Sequence, residues 1–292
     1  MLEEQLLRLT AGRIARGERP VIGLNGPVGA GKSTLSQRLQ QRFAAEGLRL
    51  AVASIDDAYL PWQQRLEAMA GNPFGVNRVP PGSHEPERLV EAIAAWRGGL
   101  QGTVLRLPRF DKRLRQGQGD RTADWQGSAQ ALLLEGWLVG CEPVPALDIA
   151  ACTNNHPPEL GYLSPLERRW LPHWNRALEA YRPLWRQLDQ LVMLWPVRWQ
   201  LPRRWRFQAE ARQRARGGGW MPPQELESLV RSSLCSLPPP LYQRPLVQRA
   251  DLVRLLDGRR RSLWEGSGAE AMGVLEAIDE TQASSPSSSA TG

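Results

Sequence analysis

Residues 22–35 read IGLNGPVGAGKSTL, and the fold turns on this stretch. Apolar residues run up to Gly26, a glycine-rich turn follows, and Lys32, Ser33 and Thr34 open a helical pattern. Gly26, Gly31, Lys32 and Ser33 stand at the G-x-x-x-x-G-K-[ST] spacing of a phosphate-cradling loop. Glycines let successive backbone N–H groups turn inward around phosphate oxygens. The Lys32 ammonium suits the β/γ oxygens, the Ser33 hydroxyl suits Mg²⁺, and the following helix adds partial positive charge at its N-terminus. Gly26, Pro27, Val28, Gly29, Ala30, Gly31, Lys32, Ser33 and Thr34 are therefore the expected nucleotide-binding loop. PVIGLN before it reads as a buried strand and KSTLSQRLQQRF after it as an amphipathic helix, which fits a P-loop better than a chance glycine-rich turn.

Working outward, strand patterns fall at 20–26, 48–55, 103–109, 131–137, 188–195 and 250–256. Helical patterns fall at 1–16, 32–46, 86–97, 166–187, 202–215 and 223–235. This alternation predicts an α/β, P-loop NTPase fold: a parallel sheet of five to six strands, helices on both faces and a helical lid. The expected domain runs over 1–258, with the lid around 202–236. Residues 259–292 read as a C-terminal extension, disordered at least from 282, where SSPSSSATG closes the chain. AEAMGVLEAIDE, 269–280, reads as a docking helix or an ornament of that tail. Long loops at 71–85 and 140–164 are candidates for functional segments.

Of 37 Lys+Arg residues only Lys32 and Lys112 are lysine. A compact ammonium suits a phosphate cradle better than a planar fork, so this usage singles out Lys112 as well. The net charge of +7 points to acidic ligands. Three scattered cysteines without C-x-x-C argue for a reducing, cytoplasmic location and against a metal knot. The first residues carry Glu3 and Glu4 and resemble neither a secretory signal nor a transit peptide. No apolar run reaches the ~18 residues of a membrane span.

Chemistry-bearing residues gather at the expected carboxyl ends of strands. SIDDAYL places Asp56 and Asp57 after the second strand. Asp56 is read as the base that meets an acceptor hydroxyl, or as a Mg²⁺ ligand, and Asp57 as a helix cap or supporting group. ALLLEGWL brings Glu135 to a Walker-B-like metal position beside Ser33 and Asp56. RLPRFDK and QGQGDR crowd Arg109, Asp111, Lys112, Asp120 and Arg121 together, read as an anion-binding substrate loop. RRWRFQAEARQRARGGGW, 203–220, carries i,i+4 pairs Arg206–Glu210 and Glu210–Arg214 and ends in glycines. Arg206 and Arg214 are the expected lid arginines for phosphoryl transfer. An RNA-binding arm and a plain structural helix are the rival readings of this segment.

Taken together, GPVGAGKST, SIDDAYL, GSHE, LPRFDK, GQGDR, LLLEGWLVG, NRALEAY and WRFQAEARQR resemble, in order and spacing, the plant-type D-glycerate 3-kinases. These are photorespiratory relatives of uridine kinase, pantothenate kinase and phosphoribulokinase. The resemblance spans about residues 20–257 and implies ATP- and Mg²⁺-dependent phosphorylation of D-glycerate to 3-phosphoglycerate. It adds His84 of GSHE and Tyr181 of NRALEAY to the substrate side, and Asn175 to the same helix. Phe110 stands where the family pattern has tyrosine, and Glu85 where it has aspartate. A kinase for another small alcohol, or a non-catalytic nucleotide switch, remains open at this level. Oligomeric state does not follow from the sequence.

Overall fold

The structure is a computed structural model that describes residues 1–100, 102–154, 157–217 and 221–283. In chain order its elements are α1 (Leu2–Ala15), β1 (Val21–Asn25), α2 (Lys32–Ala45), β2 (Leu50–Ser54), α3 (Trp62–Ala68), α4 (Glu87–Gly98), β3 (Leu105–Asp111), β4 (Asp120–Gly127) and β5 (Ala131–Gly136). There follow α5 (Ala146–Asn154), α6 (Pro165–Ala177), α7 (Arg182–Trp185), β6 (Gln190–Pro196), α8 (Leu201–Ala215), α9 (Pro223–Cys235), α10 (Pro239–Arg249), β7 (Leu252–Leu256), β8 (Ser262–Gly266) and α11 (Gly268–Ala283).

Six strands form one sheet in the order β2-β5-β1-β6-β7-β8. The first five are mutually parallel, and β8 returns antiparallel to β7 at the edge. Side chains alternate across the pleat. Val21, Leu132, Leu134, Met193 and Val253 face one core, which residues of α4, α6, α9, α10 and α11 complete. Ile22, Leu24, Leu133, Val192 and Leu194 face the other, filled by α1, α2 and Trp205 of α8. Burial on both faces is why these strands read as apolar runs rather than as alternating ones.

The strand expected at 103–109 lies outside this sheet. β3 pairs antiparallel with β4 in a separate two-stranded hairpin. Between them Arg115, Gln116, Gly117 and Gly119 take positive φ, so the chain reverses tightly onto itself. A parallel partner would instead need a long crossover. The sheet also runs on past residue 258, where the sequence reading closed the domain: β8 adds to its edge and α11 packs on α10. Residues 282 and 283 belong to α11 rather than to a disordered tail. The rest of that tail, and Gly218–Trp220 of the glycine break, lie outside the described residues. Among the described residues no helix is long and apolar enough to cross a membrane.

Candidate active site

The P-loop joins β1 to α2 at the carboxyl edge of the sheet. Gly29 and Gly31 hold φ of +77° and +94°, which side-chain-bearing residues rarely adopt. At Gly29 there is a second constraint: a Cβ there would lie 2.9 Å from the backbone nitrogen of Arg206, so α8 rests directly on the loop. Lys32 Nζ donates to the carbonyls of Gly26 (2.8 Å) and Pro27 (3.2 Å) and stands 3.8 Å from Glu135. Burial lowers the Lys32 pKa, against the pull of Glu135 and Asp56. Burial raises that of Glu135, against Lys32.

Beyond β2, Ser54 and Asp57 form a capping box over the 3-10 turn Ile55–Ala58, and Arg109 donates to Asp57 at 2.6 Å. Asp57 is thus engaged in holding the turn. Its neighbour Asp56 faces the cleft, where its carboxylate accepts from Lys112 Nζ (2.7 Å) and the Tyr59 hydroxyl (3.0 Å). Burial would raise the Asp56 pKa, but the Lys112 ammonium holds it well below the usual carboxylate range. In return Asp56 raises that of Lys112, against burial and the like charge of Arg78.

His84 is buried and stacks on Tyr59 with ring centroids 4.3 Å apart. Its Nδ1 lies 2.7 Å from the Tyr181 hydroxyl, which also accepts from the Gly82 N–H. The tyrosine proton is then free for Nδ1, which leaves the hydrogen of the neutral ring on Nε2. Nε2 lies 3.7 Å from Asp56, too far for a hydrogen bond, and has no other partner among the described residues. Phe110 packs edge-on against Tyr59, 4.8 Å from the guanidinium carbon of buried Arg65. An apolar ring serves that role without a hydroxyl. Asn175 bonds Val144 and Tyr242 and clips the loop after β5.

The expected substrate loop is only partly brought to the cleft. Lys112 lines it. Arg109 is committed to Asp57 and the Val52 carbonyl, and Arg121 to Glu85 and the Tyr59 carbonyl. Asp111 pairs with exposed Arg113, which lowers its pKa to about 2. These three residues brace the hairpin and do not present free charge to a ligand.

The cleft itself, about 770 Å³, is lined by Val28, Gly29, Gly31 to Thr34, Ser54, Asp56, Lys112, Glu135 to Trp137 and one face of α8. That face carries Arg206, Arg212 and Arg216, and Arg260 of the β7–β8 turn joins them. Arg214 is not among the lining residues. At about 100° per residue it points away from the row 209–212–213–216. The Arg206–Glu210 pair is made at 2.6 Å, and Glu210 also accepts from the Met221 N–H. A larger cleft of about 920 Å³ lies past the end of β6 around Trp199 and Arg204. It contains no P-loop residue, so the chemistry belongs to the smaller one. Sequence reasoning missed Tyr59, Arg78, Arg212, Arg216 and Arg260. Tyr59 sits three residues after Asp56, and Arg260 lies in a run of three arginines, which were the available signals.

The chain resembles known proteins along most of its length. The profile of the methylmalonyl-CoA mutase-associated GTPase MeaB family matches residues 3–60, the stretch around the P-loop. A chloroplastic D-glycerate 3-kinase of Arabidopsis thaliana is 31% identical over 223 residues, 72% of this chain and 45% of that protein. The kinase mug58 of Schizosaccharomyces pombe, itself of uncharacterized function, is 30% identical over 207 residues, 67% of this chain and 72% of that protein. The chain therefore spans less than half of the plant relative. A solved D-glycerate 3-kinase from Cryptococcus neoformans superimposes with a TM-score of 0.77 at 24% identity, over 91% of this chain and 99% of that one. The chain belongs to the family of small-molecule P-loop kinases that includes D-glycerate 3-kinase.

Proposed function

We propose that this kinase transfers the γ-phosphoryl group of ATP to the 3-hydroxyl of D-glycerate, giving 3-phosphoglycerate. The observation that carries the reading is the position of Asp56. It lines the same cleft as Lys32 and the P-loop, while its carboxylate is held by Lys112 and Tyr59 from the acceptor side. A hydroxyl brought to Asp56 therefore meets a phosphate held on the P-loop.

Phosphoryl transfer asks the protein for positioning and charge more than for covalent chemistry. Asp56 is anionic at neutral pH, and a carboxylate with so low a pKa pulls weakly on an alcohol proton. Its work is to orient the hydroxyl and to accept the proton once bonding to phosphorus has made it acidic. Lys32 and Arg206 offset charge on the transferring group. Ser33, Asp56 and Glu135 offer a hydroxyl and two carboxylates to one cleft, a hard-oxygen set that suits Mg²⁺, whose bound charge would neutralise the β/γ oxygens. Closure of α8 over the P-loop excludes water.

D-glycerate, a small anion, fits a cleft with Lys112 on its acceptor side, and the D-glycerate 3-kinases among the similar proteins support the reading. The same reading makes this an enzyme of the photorespiratory type. The buried, unpaired Cys141, Cys152 and Cys235 support a reducing compartment such as the cytoplasm. The test is ³¹P NMR of the protein with ATP, Mg²⁺ and D-glycerate, beside uridine, pantothenate and ribulose 5-phosphate. The expected product is 3-phosphoglycerate. Turnover of another alcohol with none of D-glycerate overturns the proposal, and 2-phosphoglycerate overturns its orientation.

A further inference from the structure

With Arg109 and Arg121 committed to carboxylates of the protein and Lys112 on Asp56, the acceptor side needs another cation for an anionic substrate. Arg78 is 7% exposed, yet no carboxylate of the described residues pairs with it. Among the described residues its one hydrogen bond goes from Nη1 to the Gly117 carbonyl at 2.9 Å, across to the hairpin turn. A buried guanidinium is ordinarily paired, because desolvating its charge is costly. The chain also strains to place it: the next residue, β-branched Val79, has φ of +92°. Such outliers gather where a ligand is clamped. That hydrogen bond ties Arg78 to the β3–β4 hairpin, the same hairpin that carries Lys112 to Asp56, and its charge disfavours the protonated form of Lys112. Six residues further along the same loop, the buried Nε2 of His84 is without a partner beside Asp56. A buried cation that pairs with no carboxylate of the described residues and a buried imidazole nitrogen without a hydrogen-bond partner thus sit on one loop.

We propose that Arg78 anchors the carboxylate of the acceptor, while the His84 Nε2–H bonds an acceptor oxygen, so that the loop 71–85 selects small hydroxy-carboxylates. The inference rests on the D-glycerate reading and names the residues that make it specific. A guanidinium grips a carboxylate with two parallel bonds and so fixes its orientation. The far hydroxyl then points to Asp56 rather than the near one.

The test compares D-glycerate with glycerol, in which a neutral CH₂OH replaces the carboxylate, in wild type, Arg78→Gln, Arg78→Lys and Asn77→Ala. Asn77 bonds Gln118 and docks the same loop on the same hairpin, so Asn77→Ala loosens the docking without touching the cation. Arg78→Gln is expected to raise KM for D-glycerate about 10- to 100-fold, the range of a charge-assisted hydrogen bond, while KM for ATP stays within about twofold. Its preference for D-glycerate over glycerol falls by the same factor. Arg78→Lys keeps part of the preference, and Asn77→Ala keeps it whole. A folded Arg78→Gln with wild-type preference overturns the inference, as does an equal loss of preference in Asn77→Ala. If Arg78→Gln fails to fold, Arg78→Lys decides: an unchanged KM and preference there likewise overturn it. A wild-type protein inert to D-glycerate sinks the substrate reading itself, and the carboxylate anchor with it.

Discussion

The two walls of the cleft are built on opposite plans. On the acceptor wall the groups are interlocked: Lys112 and Tyr59 on Asp56, His84 stacked on Tyr59 and bonded to Tyr181, Arg109 on Asp57, Arg121 on Glu85. On the nucleotide wall Arg206 pairs with Glu210 and Arg260 reaches the Gly29 carbonyl, but Arg212 and Arg216 are arrayed around open space, with α8 resting on the P-loop at Gly29. A small acceptor offers few atoms, so it must be selected by a shape that exists beforehand. A triphosphate brings enough charge to organise flexible cations around itself. The first wall should respond to changes in geometry, and the second to changes in charge and salt.

The largest effect expected is at the hinge between the walls. Lys32→Met should cut turnover by about 10³-fold or more with the far-UV spectrum and Tm preserved, since the ammonium serves transition-state charge. A well-folded Lys32→Met with near-normal activity breaks the scheme. Next, on the interlocked wall, Asp56→Asn should lower kcat by roughly 10²-fold with little change in ATP affinity. The adjacent Asp57→Asn should act on stability instead, by about 1 kcal/mol in a urea titration, as loss of a cap. If the two behave the other way round, their roles are exchanged.

On the open wall, Arg206→Ala should lower kcat by about tenfold or more and weaken substrate binding less, because closure matters most at the transition state. Arg212→Ala and Arg216→Ala should each raise KM for ATP by about fivefold at low salt, the effect fading at high ionic strength as for exposed charges. Arg214→Ala should do less than either. A larger kinetic loss in Arg214→Ala would mean that α8 turns on closing.

The smallest effect is a pH dependence of stability from the interlocked wall. Burial lowers the His84 pKa below 6.5 even against Asp56, with Lys112 and Arg65 adding to the shift. As pH falls below 6.5 the unfolded chain takes up this proton before the folded one does, so stability falls with pH until the folded value is passed. Asp56, depressed below 3.8, loses its contribution only lower still. Calorimetric Tm should therefore drop between pH 7 and 5, and His84→Gln should flatten the slope. An unchanged slope would mean that His84 is not buried in its neutral form.

Much of this was legible in the residues because it is periodic or carries a fixed spacing. The apolar runs located β1, β2, β5, β6 and β7, and the glycine spacing located the cradle. What was not legible is pairing. RLPRFDK shows that Arg109 and Lys112 are charged, but which carboxylate each takes depends on how β3 folds back on the turn after β2. Hence Arg109 and Arg121 look like substrate ligands in sequence and serve as braces in the fold. Arg214 reads as a lid arginine because it stands i,i+4 from Glu210 in the sequence, whereas the side of α8 that meets the P-loop is set by Trp205 packing in the core. Arg78 gave no signal at all, since a loop has no period and a buried charge reads the same as a solvated one.

Both side-chain amines of the chain, Lys32 and Lys112, line one cleft. For a protein with 35 arginines this confines side-chain amine acylation to two lysines of one cleft. An amine-selective reagent, followed by peptide mass spectrometry, reports occupancy of the cleft without any turnover. Its two marks separate the ligands: nucleotide shields Lys32, whereas an acceptor covers Lys112. Burial leaves more of Lys32 as free amine than an ordinary lysine, while Asp56 keeps Lys112 protonated, so the two lysines differ in reactivity before any ligand is bound.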